Sequence, residues 1–468
     1  MKLQDLKETL RDFWGEFRKV RYGMVGLVMF GLFLLLVILE PLLIPFPEAG
    51  RRWRDITYWE DNPKNAAPVW VNWFTRKDYT PQAVLAHPEI NERKAGNTQV
   101  VEAVFTYHYK YDLPPIDLVL RAKGKGLLNL AVQLERPDGL SLELTKKSFR
   151  LSGEAPVRLS LDKEAAGAVV SDFLRTYEDP DLLRGVSMFT VKPVEVFFAQ
   201  AKPGLIRNPA PLKGEYRIKL TCVAVGSGAF LKEPVLTVAG RVFGLMGTDA
   251  SKRDIWSGVV AGTKWALLIG LLTSAVAVII GVFYGVTSAY FGGTVDLVLM
   301  RIYEIFQSIP LLPVMIVVSA VFKPSIWTMI LMMCAFFWVG SVRTVRSMGL
   351  QIKEEIYVEA AHALGASKGR IIFKHMLPQV IPYAFASMAL QVPVSIVYEA
   401  SVSLLGLGDA TIVTWGQILH DAMQGGAVLQ GIWWWIVPPG LFIALMGMTF
   451  AFVGFAMDTI LNPKLRTR

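Results

Sequence analysis

Residues 354–378 of this 468-residue chain have the sequence EEIYVEAAHALGASKGRIIFKHMLP. The stretch is polar and compatible with helix, and it interrupts a run of apolar segments long enough to cross a membrane. Four residues at helical spacing form a small apolar face: Ile356, Ala360, Ala361 and Leu364. Gly365 permits a sharp exit from that helix, and Pro378 is expected to stop a helix from continuing into the next span. Such a segment is suited to docking on a soluble partner at the membrane face.

The composition predicts a membrane protein before any motif is considered. The chain has 53% hydrophobic residues, 13 tryptophans and a mean hydropathy of +0.40, which exceed the values of ordinary soluble proteins. A helix needs about 20 largely apolar residues to cross roughly 30 Å of hydrocarbon. Six segments meet that requirement: 24–46, 259–289, 299–322, 325–343, 379–408 and 432–457. We therefore expect about six transmembrane helices, of which five lie in 258–468.

The first apolar segment, 24–46, is interpreted as an uncleaved transmembrane anchor. It is longer than the core of a typical signal peptide, and no small-residue cleavage site follows it. Residues 1–23 place apolar side chains on one helical face and charges on the other, which is typical of an amphipathic helix on the cytoplasmic membrane surface. A frayed tail is the other interpretation of 1–23.

Basic residues near the spans indicate orientation, because Lys and Arg in short flanking segments resist transfer across the membrane. They concentrate in the amino-terminal tail, after the fourth predicted span and at the carboxyl end. With six crossings all three positions lie on one side. Both termini of this cell-membrane protein are therefore predicted to be cytoplasmic, and the 409–431 loop external. The net charge of +9 reflects topology and domain surface, and nothing indicates a nucleic-acid site.

Residues 47–257 form an interval without a spanning segment and with a mixed, charged composition. We expect it to fold as a β-rich extracytoplasmic domain. Runs of β-branched and aromatic residues predict strands at 100–107, 127–134, 188–192 and 216–223. The expected build is a β-sandwich of roughly 150 residues with one helix near 163–177. The interval has no Ser/His/Asp or metal-ligand spacing, so a structural role or a surface for an external partner is favoured over catalysis.

Several motifs of the membrane half follow one another as in a known transporter family. Glu359-Ala360-Ala361, Gly365 and Leu377-Pro378 resemble the EAA loop of the membrane subunits of binding-protein-dependent ABC importers. Further motifs are similar to those of the oligopeptide, dipeptide and nickel branch: Gly247-Thr248-Asp249 with Arg253-Asp254, Tyr290 through Asp296, Met300-Arg301, Ser308-Ile309-Pro310, Glu399 through Gly408, Trp415-Gly416, Pro439-Gly440 and Asp458 through Asn462-Pro463. Lys252 stands where that branch usually has Gly. The chain thus resembles the second, C-type permease subunit of that branch.

This resemblance implies an all-α polytopic membrane domain of the type I ABC importer, here with a large inserted β-rich extracytoplasmic domain. In that family the element corresponding to 354–378 is a pair of short coupling helices, which sit in a groove of a cytoplasmic ATPase and convey its closure to the spans. The ATPase-coupling residues it implies are Glu359, Ala360, Ala361, Gly365, Leu377 and Pro378. The implied partners are a second homologous permease subunit, two ATP-binding cassette subunits, an extracytoplasmic solute-binding protein and the lipid bilayer.

The chain has no motif for nucleotide hydrolysis. A GxxxxGK[ST] phosphate loop is absent from the sequence, so ATP and Mg²⁺ are expected to be used by partner subunits, with no cofactor and no metal bound by this chain. We expect a non-enzymatic permease subunit for dipeptides, oligopeptides or similar small solutes. Nickel and oligosaccharides are further substrate classes of the resembling family, and the sequence does not decide among them.

Charged residues within or near spans are candidate functional residues because burying a charge in lipid is costly. Arg301 and Glu304 are three residues apart and can pair on one helical face. Glu399 lies late in the fifth predicted span, where it either faces the translocation pathway or fixes a neighbouring helix.

Two other functional classes remain open. A membrane-anchored ligand sensor or adaptor would explain the β-rich ectodomain, but not the five following spans with their polar loop. A channel or ion-coupled transporter would require several carboxylates at mid-membrane depth, and the predicted spans do not contain them in number.

Overall fold

A computed structural model of the protein describes residues 14–184 and 186–461. The chain divides into two compact units. The membrane unit comprises Met1–Arg54 with Ser257–Arg468, and the sheet unit comprises Asp55–Trp256. Most of the predicted amphipathic helix at 1–23 lies outside the described residues.

The α-helices have these bounds in chain order: α1 Arg21–Ile38, α2 Glu40–Leu43, α3 Ile56–Trp59, α4 Leu161–Ala165, α5 Ala168–Tyr177, α6 Pro180–Leu183, α7 Pro193–Phe197, α8 Ile255–Phe291, α9 Gly293–Ser308, α10 Leu311–Val321, α11 Ile326–Phe337, α12 Val339–Lys353, α13 Ile356–Ala363, α14 Lys368–Ile371, α15 Leu377–Leu404, α16 Trp415–Gln424 and α17 Val437–Leu461. Short 3₁₀ turns occupy Val69–Trp73, Met188–Thr190 and Trp433–Trp435. The β-strands are β1 Ala83–Leu85, β2 Glu89–Ala95, β3 Thr98–Tyr109, β4 Asp117–Glu135, β5 Ser141–Ser160 and β6 Gly214–Ala239.

Five helical segments of the described chain are long and apolar enough to cross a membrane: Arg21–Ile38, Ile255–Phe291, Ile326–Lys353, Lys368–Leu404 and Trp433–Ile460. A sixth candidate is the pair α9 and α10, which passes the same test but bends by 74°. Pro310 lies at that bend, where it has no N–H to continue the α9 hydrogen bonds. The predicted span at 299–322 is therefore a broken helix.

The first predicted span, 24–46, also differs from the helix found. α1 ends at Ile38, and a separate four-residue helix, α2, follows. Pro41 sits in the first turn of α2, where its fixed φ and missing N–H suit a new helix start better than the interior of a longer one. The continuous apolar run thus contains a backbone break that its composition does not reveal.

Small residues allow close helix packing within the membrane unit. A Cβ at Gly281 of α8 would overlap Ser341 of α12 and the carbonyl of Trp338, the residue before α12, and a Cβ at Gly285 would overlap Val345 of α12. The spacing of four places both glycines on one face of α8. Close backbone approach at small residues is a main source of helix association in lipid, so this face fixes α12 and the segment that follows it.

The sheet unit contains one six-stranded antiparallel sheet, in the order β2-β3-β6-β4-β5, with β1 paired to β6. β3 pairs with the first half of β6, and β1 pairs near its end. Every second residue of β3 and of the first half of β6 is buried, as expected for strands with one face on a core. The predicted strands at 100–107, 127–134 and 216–223 lie within β3, β4 and β6.

The predicted β-sandwich is wrong, because all named strands belong to a single sheet. β4 and β6 are 19 and 26 residues long, so one strand pairs successively with several partners. The core face is covered by helices instead of a second sheet: α4, α5 and α7 contribute Leu161, Phe173 and Phe197 to the same apolar cluster. The predicted helix at 163–177 is split at Gly167, whose φ is +101°.

The predicted strand at 188–192 is also wrong. Met188–Thr190 forms a 3₁₀ turn, and α7 begins at Pro193. The run is short, and Pro193 favours the first turn of a helix. β propensity depends on available strand partners, and this segment has none in the sheet described above.

Candidate functional site

The segment 354–378 folds into two short helices joined by a tight turn. Gly365 follows α13 and has a φ of +80°. Its N–H donates to the His362 carbonyl at 3.0 Å, and the Ala366 N–H donates to the Ala361 carbonyl at 3.0 Å. These two bonds form a Schellman motif, for which glycine is preferred because it has no Cβ at a positive φ. The turn therefore fixes the direction in which the chain leaves α13.

One side of this segment is anchored in the membrane unit. Val358 of α13, Ile371 of α14 and Leu377 of α15 are buried. They share an apolar cluster with side chains of α8 and α12, namely Val278, Val282, Val286 and Val345. Fully burying an aliphatic side chain contributes about 1.5–3 kcal/mol. This packing holds the segment against two of the long helices.

The opposite side of α13 is apolar and exposed. Successive helical residues are rotated by about 100°, so Ile356, Ala360 and Leu364 lie within about 80° of arc and point away from Val358. Ile356 is 82% exposed and Leu364 is 89% exposed, and Glu359 and Ala360 are exposed as well. We call Ile356, Glu359, Ala360 and Leu364 the exposed stripe. It is the part of the segment that a docked protein can cover.

The sequence-predicted coupling residues fall into separate places. Glu359 and Ala360 belong to the exposed stripe, whereas Ala361 is half-buried. Gly365 forms the turn, and Leu377 is part of the buried anchor. The segment thus has a surface side and an anchoring side, a division that the sequence analysis did not make.

The prediction that Pro378 stops the helix is wrong. A helical run extends over Lys368–Leu404, in which α14 passes through a π-helix at Ile372–Met376 into α15. Pro378 is exposed and lies in the first turn of α15. Proline is tolerated there because it fits the geometry and hydrogen-bonding needs of a first turn. The anchor is therefore continuous with the span that follows it.

A cavity of about 330 Å³ lies next to the exposed stripe, lined by Tyr290, Lys353, Glu354, Val358, Glu359, His362 and Ile371. Its lining combines acids and bases with apolar residues, so it can accommodate a polar side chain. On α13, burial and, secondarily, the Glu355 carboxylate raise the pKa of Tyr357. The Tyr357 hydroxyl is therefore protonated at neutral pH.

Glu399 is buried in α15 and accepts hydrogen bonds from two hydroxyls. Ser403 Oγ donates at 2.7 Å and Thr414 Oγ1 donates at 2.8 Å. Thr414 also caps α16, because its side chain accepts the Gln417 N–H. The carboxylate thus ties the end of α15 to the start of α16, which is the geometry of a helix-positioning group.

Arg301 and Glu304 lie together on α9. Arg301 Nη1 donates to Glu304 Oε2 at 2.7 Å, and both side chains are largely exposed. An exposed ion pair one helical turn apart contributes little to stability. Within residues 14–184 and 186–461, neither Arg301 nor Glu304 is hydrogen-bonded or ion-paired to Glu399.

Two ion pairs that the sequence analysis missed join distant parts of the membrane unit. Arg346 donates to both carboxylate oxygens of Asp296, at 2.7 and 2.5 Å, and Ser288 also donates to Asp296. Arg54 Nη1 donates to both oxygens of Asp421, at 2.9 and 3.0 Å. The cost of a charge near lipid is a signal that could have pointed to Asp296 and Arg346. No local pattern connects Arg54 to Asp421.

In the ranges 14–184 and 186–461, no cluster of three or more His, Cys, Asp or Glu side chains is arranged to hold a metal ion. The described site is suited to transmitting movement from a bound protein to the spans. An exposed surface on α13 is connected by buried packing to the spans.

Comparison with known proteins identifies the membrane half. The family model described as binding-protein-dependent transport system inner membrane component matches residues 277–467. A second model, the N-terminal TM domain of oligopeptide transport permease C, matches residues 9–68. These two matches leave residues 69–276 uncovered, which include most of the sheet unit.

Named relatives agree with these models. The dipeptide transport system permease protein DppC of Bacillus subtilis is 36% identical over 221 residues, which is 47% of this chain and 68% of that protein. The oligopeptide transport system permease protein OppC of Haemophilus influenzae is 34% identical, over 47% of this chain and 70% of that protein. A solved structure of the MetNI methionine ABC transporter is similar at 22% identity over 46% of this chain and 98% of that one, with a TM-score of 0.36. The chain belongs to the family of inner membrane components of binding-protein-dependent transport systems, and it is a multi-pass permease subunit of an ABC importer rather than an enzyme.

Proposed function

We propose that this permease subunit carries dipeptides, oligopeptides or similar small solutes inward as the C-type member of a heteromeric pair. The names of the Bacillus and Haemophilus relatives support the peptide class. The match of residues 9–68 to the N-terminal domain of oligopeptide permease C supports the C type. The observation that carries the proposed mechanism is the exposed stripe on α13, directly opposite the buried Val358.

In this mechanism a cytoplasmic ATPase covers the exposed stripe and moves α13 when it closes around ATP. Val358 and Ile371 transmit that movement, because close-packed interiors shift as units and do not compress. The Gly365 turn holds α13 and α14 at a fixed angle during the movement. α8 and α12, which share the buried cluster, then change position and alter access to the pathway. ATP and Mg²⁺ bind to the partner subunits, and α13 of this chain transmits their movement to the spans.

The proposed assembly contains a second homologous permease subunit, two ATP-binding cassette subunits and an extracytoplasmic solute-binding protein. Solute passes between the spans of the two permease subunits. The orientation that we propose places 354–378 and both termini in the cytoplasm, and the sheet unit outside. The Lys and Arg residues flanking the spans support this orientation.

A matched pair of leucines tests whether the exposed stripe on α13 binds the ATPase. Leu364 in the exposed stripe is 89% exposed, and Leu429 in the loop before α17 is 94% exposed. We expect Leu364→Arg to weaken association with the ATPase subunits by about 30-fold or more, since losing a residue on which an interface depends costs about 2 kcal/mol or more and each 1.4 kcal/mol is about tenfold in affinity. The measurements are co-purification with tagged ATPase and uptake of labelled peptide by reconstituted vesicles.

Leu429→Arg is the control, because it introduces the same charge at an equally exposed leucine away from the stripe. It should retain ATPase association. Membrane insertion and the protease pattern of Leu364→Arg should match those of the unmodified chain. Normal ATPase association of a correctly inserted Leu364→Arg variant would refute the role of the stripe.

A further inference from the structure

The sheet unit carries an exposed aromatic surface that the transport mechanism does not use. Trp73 ends the 3₁₀ turn Val69–Trp73, and Phe74 follows it. Trp73 is 81% exposed and Phe74 is 80% exposed. Val69 and Leu245 are exposed beside them. We call Val69, Trp73, Phe74 and Leu245 the aromatic foot.

The members of the foot are held together by specific contacts. The Trp70 ring lies at right angles to Phe74 with 6.2 Å between centroids, and its Nε1 donates to the Leu245 carbonyl at 2.8 Å. The Val69 N–H donates to the Gly244 carbonyl at 3.0 Å. These contacts hold the backbone of the foot in one conformation, in which its apolar side chains are exposed.

The chain ties this surface to the start of a membrane-length helix. Leu245 is two residues from Gly247, whose carbonyl accepts the N–H of Ile255 at 3.1 Å. Ile255 is the first residue of α8, which is long and apolar enough to span a membrane. Leu245 of the foot thus lies ten residues before the first residue of a helix that can enter a membrane.

The chemistry of the foot matches a lipid surface. Tryptophan and other amphipathic aromatic residues concentrate at the boundary between water and hydrocarbon. Arg76 and Lys77 are exposed immediately after Phe74, where they can meet lipid phosphates. We propose that the aromatic foot rests in the headgroup layer of the bilayer and anchors the sheet unit to the membrane from which α8 emerges.

A fluorescent label next to the foot tests this proposal in the full chain. Thr75→Cys provides the labelling site and leaves the aromatic residues in place, in a background carrying Cys222→Ala and Cys334→Ala. The label is an environment-sensitive dye, and the chain is placed in phospholipid nanodiscs with and without headgroup-proximal quencher lipids. A label at Ile90, which is exposed on β2, is the matched control. We expect the lipids to quench the label at position 75 and to leave the label at position 90 bright.

A second set of variants separates insertion from mere proximity. With the label at position 75, Trp73→Asp combined with Phe74→Asp should reduce quenching to the level of position 90, while the protease pattern remains unchanged. Arg76→Glu with Lys77→Glu should reduce quenching more in anionic than in zwitterionic discs. The proposal is overturned if position 75 behaves like position 90, if quenching survives the double aspartate change, or if the label is shielded only when a solute-binding protein is added.

Discussion

The sheet unit and the membrane unit use large apolar side chains in opposite ways. In the sheet unit, alternate residues of β3 are buried and join one core with the flanking helices. In the membrane unit, large apolar side chains such as Ile38, Val321 and Leu331 are exposed along the long helices. Water drives the first arrangement, because exposing apolar surface to it is unfavourable. Hydrocarbon is as apolar as leucine and imposes no such cost.

This difference gives an exposed apolar residue two meanings. On a membrane-length helix it indicates contact with lipid tails. On α13 and in the aromatic foot it occurs outside the long apolar helices, where exposure of several large apolar side chains marks a surface that another molecule covers. The exposed stripe is thus interpreted as a protein contact, and the foot, with its tryptophan and basic neighbours, as a headgroup contact.

The largest effect that separates the two units is expected at a pair of leucines. Leu130 is buried in the sheet core, whereas Leu331 is exposed on α11. We expect Leu130→Ala to lower the free energy of unfolding of the sheet unit by about 2–5 kcal/mol, because it removes packed atoms and leaves a cavity. Leu331→Ala should change the stability of the membrane unit little. Thermal unfolding and protease resistance of the full chain in nanodiscs measure both effects.

A large loss of stability in Leu331→Ala would contradict the view that exposed leucines of the membrane unit contact only lipid. Such a result would mean that position 331 packs against another subunit in the preparation and not against lipid. Repeating the measurement on the chain purified alone distinguishes these cases, since the second subunit is then absent.

The membrane-length helices could be predicted from the sequence because composition alone specifies them. A span needs apolar residues on every side, so neither periodicity nor tertiary partners have to be known. The breaks near Pro41 and Pro310 depend on single residues within apolar runs, and a count of apolar residues ignores them. The sheet architecture depends on which strands pair, and β6 reaches partners at β1, β3 and β4. Local patterns located strands but did not determine whether they formed one sheet or two.

The candidate site shows the same limit. The spacing of Ile356, Ala360 and Leu364 was enough to predict an apolar face on a helix. The anchoring role of Val358 was not predicted, because it depends on side chains of α8 and α12 that are distant in sequence. The contact between Arg54 and Asp421 spans 367 positions. The family resemblance implied coupling roles for several residues. Which of them are exposed and which are buried against the spans depends on the folded structure.

An intermediate effect is expected at the buried charges. In the sheet unit, Arg136 is buried and donates to Asp138 at 2.7 Å, so its charge has a partner. In the membrane unit, the hydrogen bonds described for Glu399 come from the hydroxyls of Ser403 and Thr414. We expect Glu399→Ala to destabilise the junction of α15 and α16 by about 1–3 kcal/mol, because it removes the acceptor of both hydroxyls.

Glu399→Gln is the informative control, because its side-chain oxygen can accept both hydroxyls without a charge. If Glu399 positions α16, the Gln variant should keep both thermal stability and peptide uptake. A stable Gln variant that loses uptake would instead assign the charge to the translocation pathway. The corresponding change Arg136→Gln should destabilise the sheet unit, since it leaves Asp138 without its cationic partner.

The smallest effect is expected at exposed ion pairs, where the two units should behave alike. The Arg301–Glu304 pair on α9 and the Lys123–Glu233 pair between β4 and β6 have the same separation, 2.7 Å, and are largely exposed. We expect Arg301→Ala to change stability by about 0–1 kcal/mol, because solvent already stabilises both charges, and we expect a similarly minor effect of Lys123→Ala. Unfolding and uptake assays on both variants check this. Loss of uptake in Arg301→Ala at unchanged stability would show that the pair on α9 contacts solute or a partner subunit. The two side chains would then be exposed in the single chain but covered in the assembled transporter.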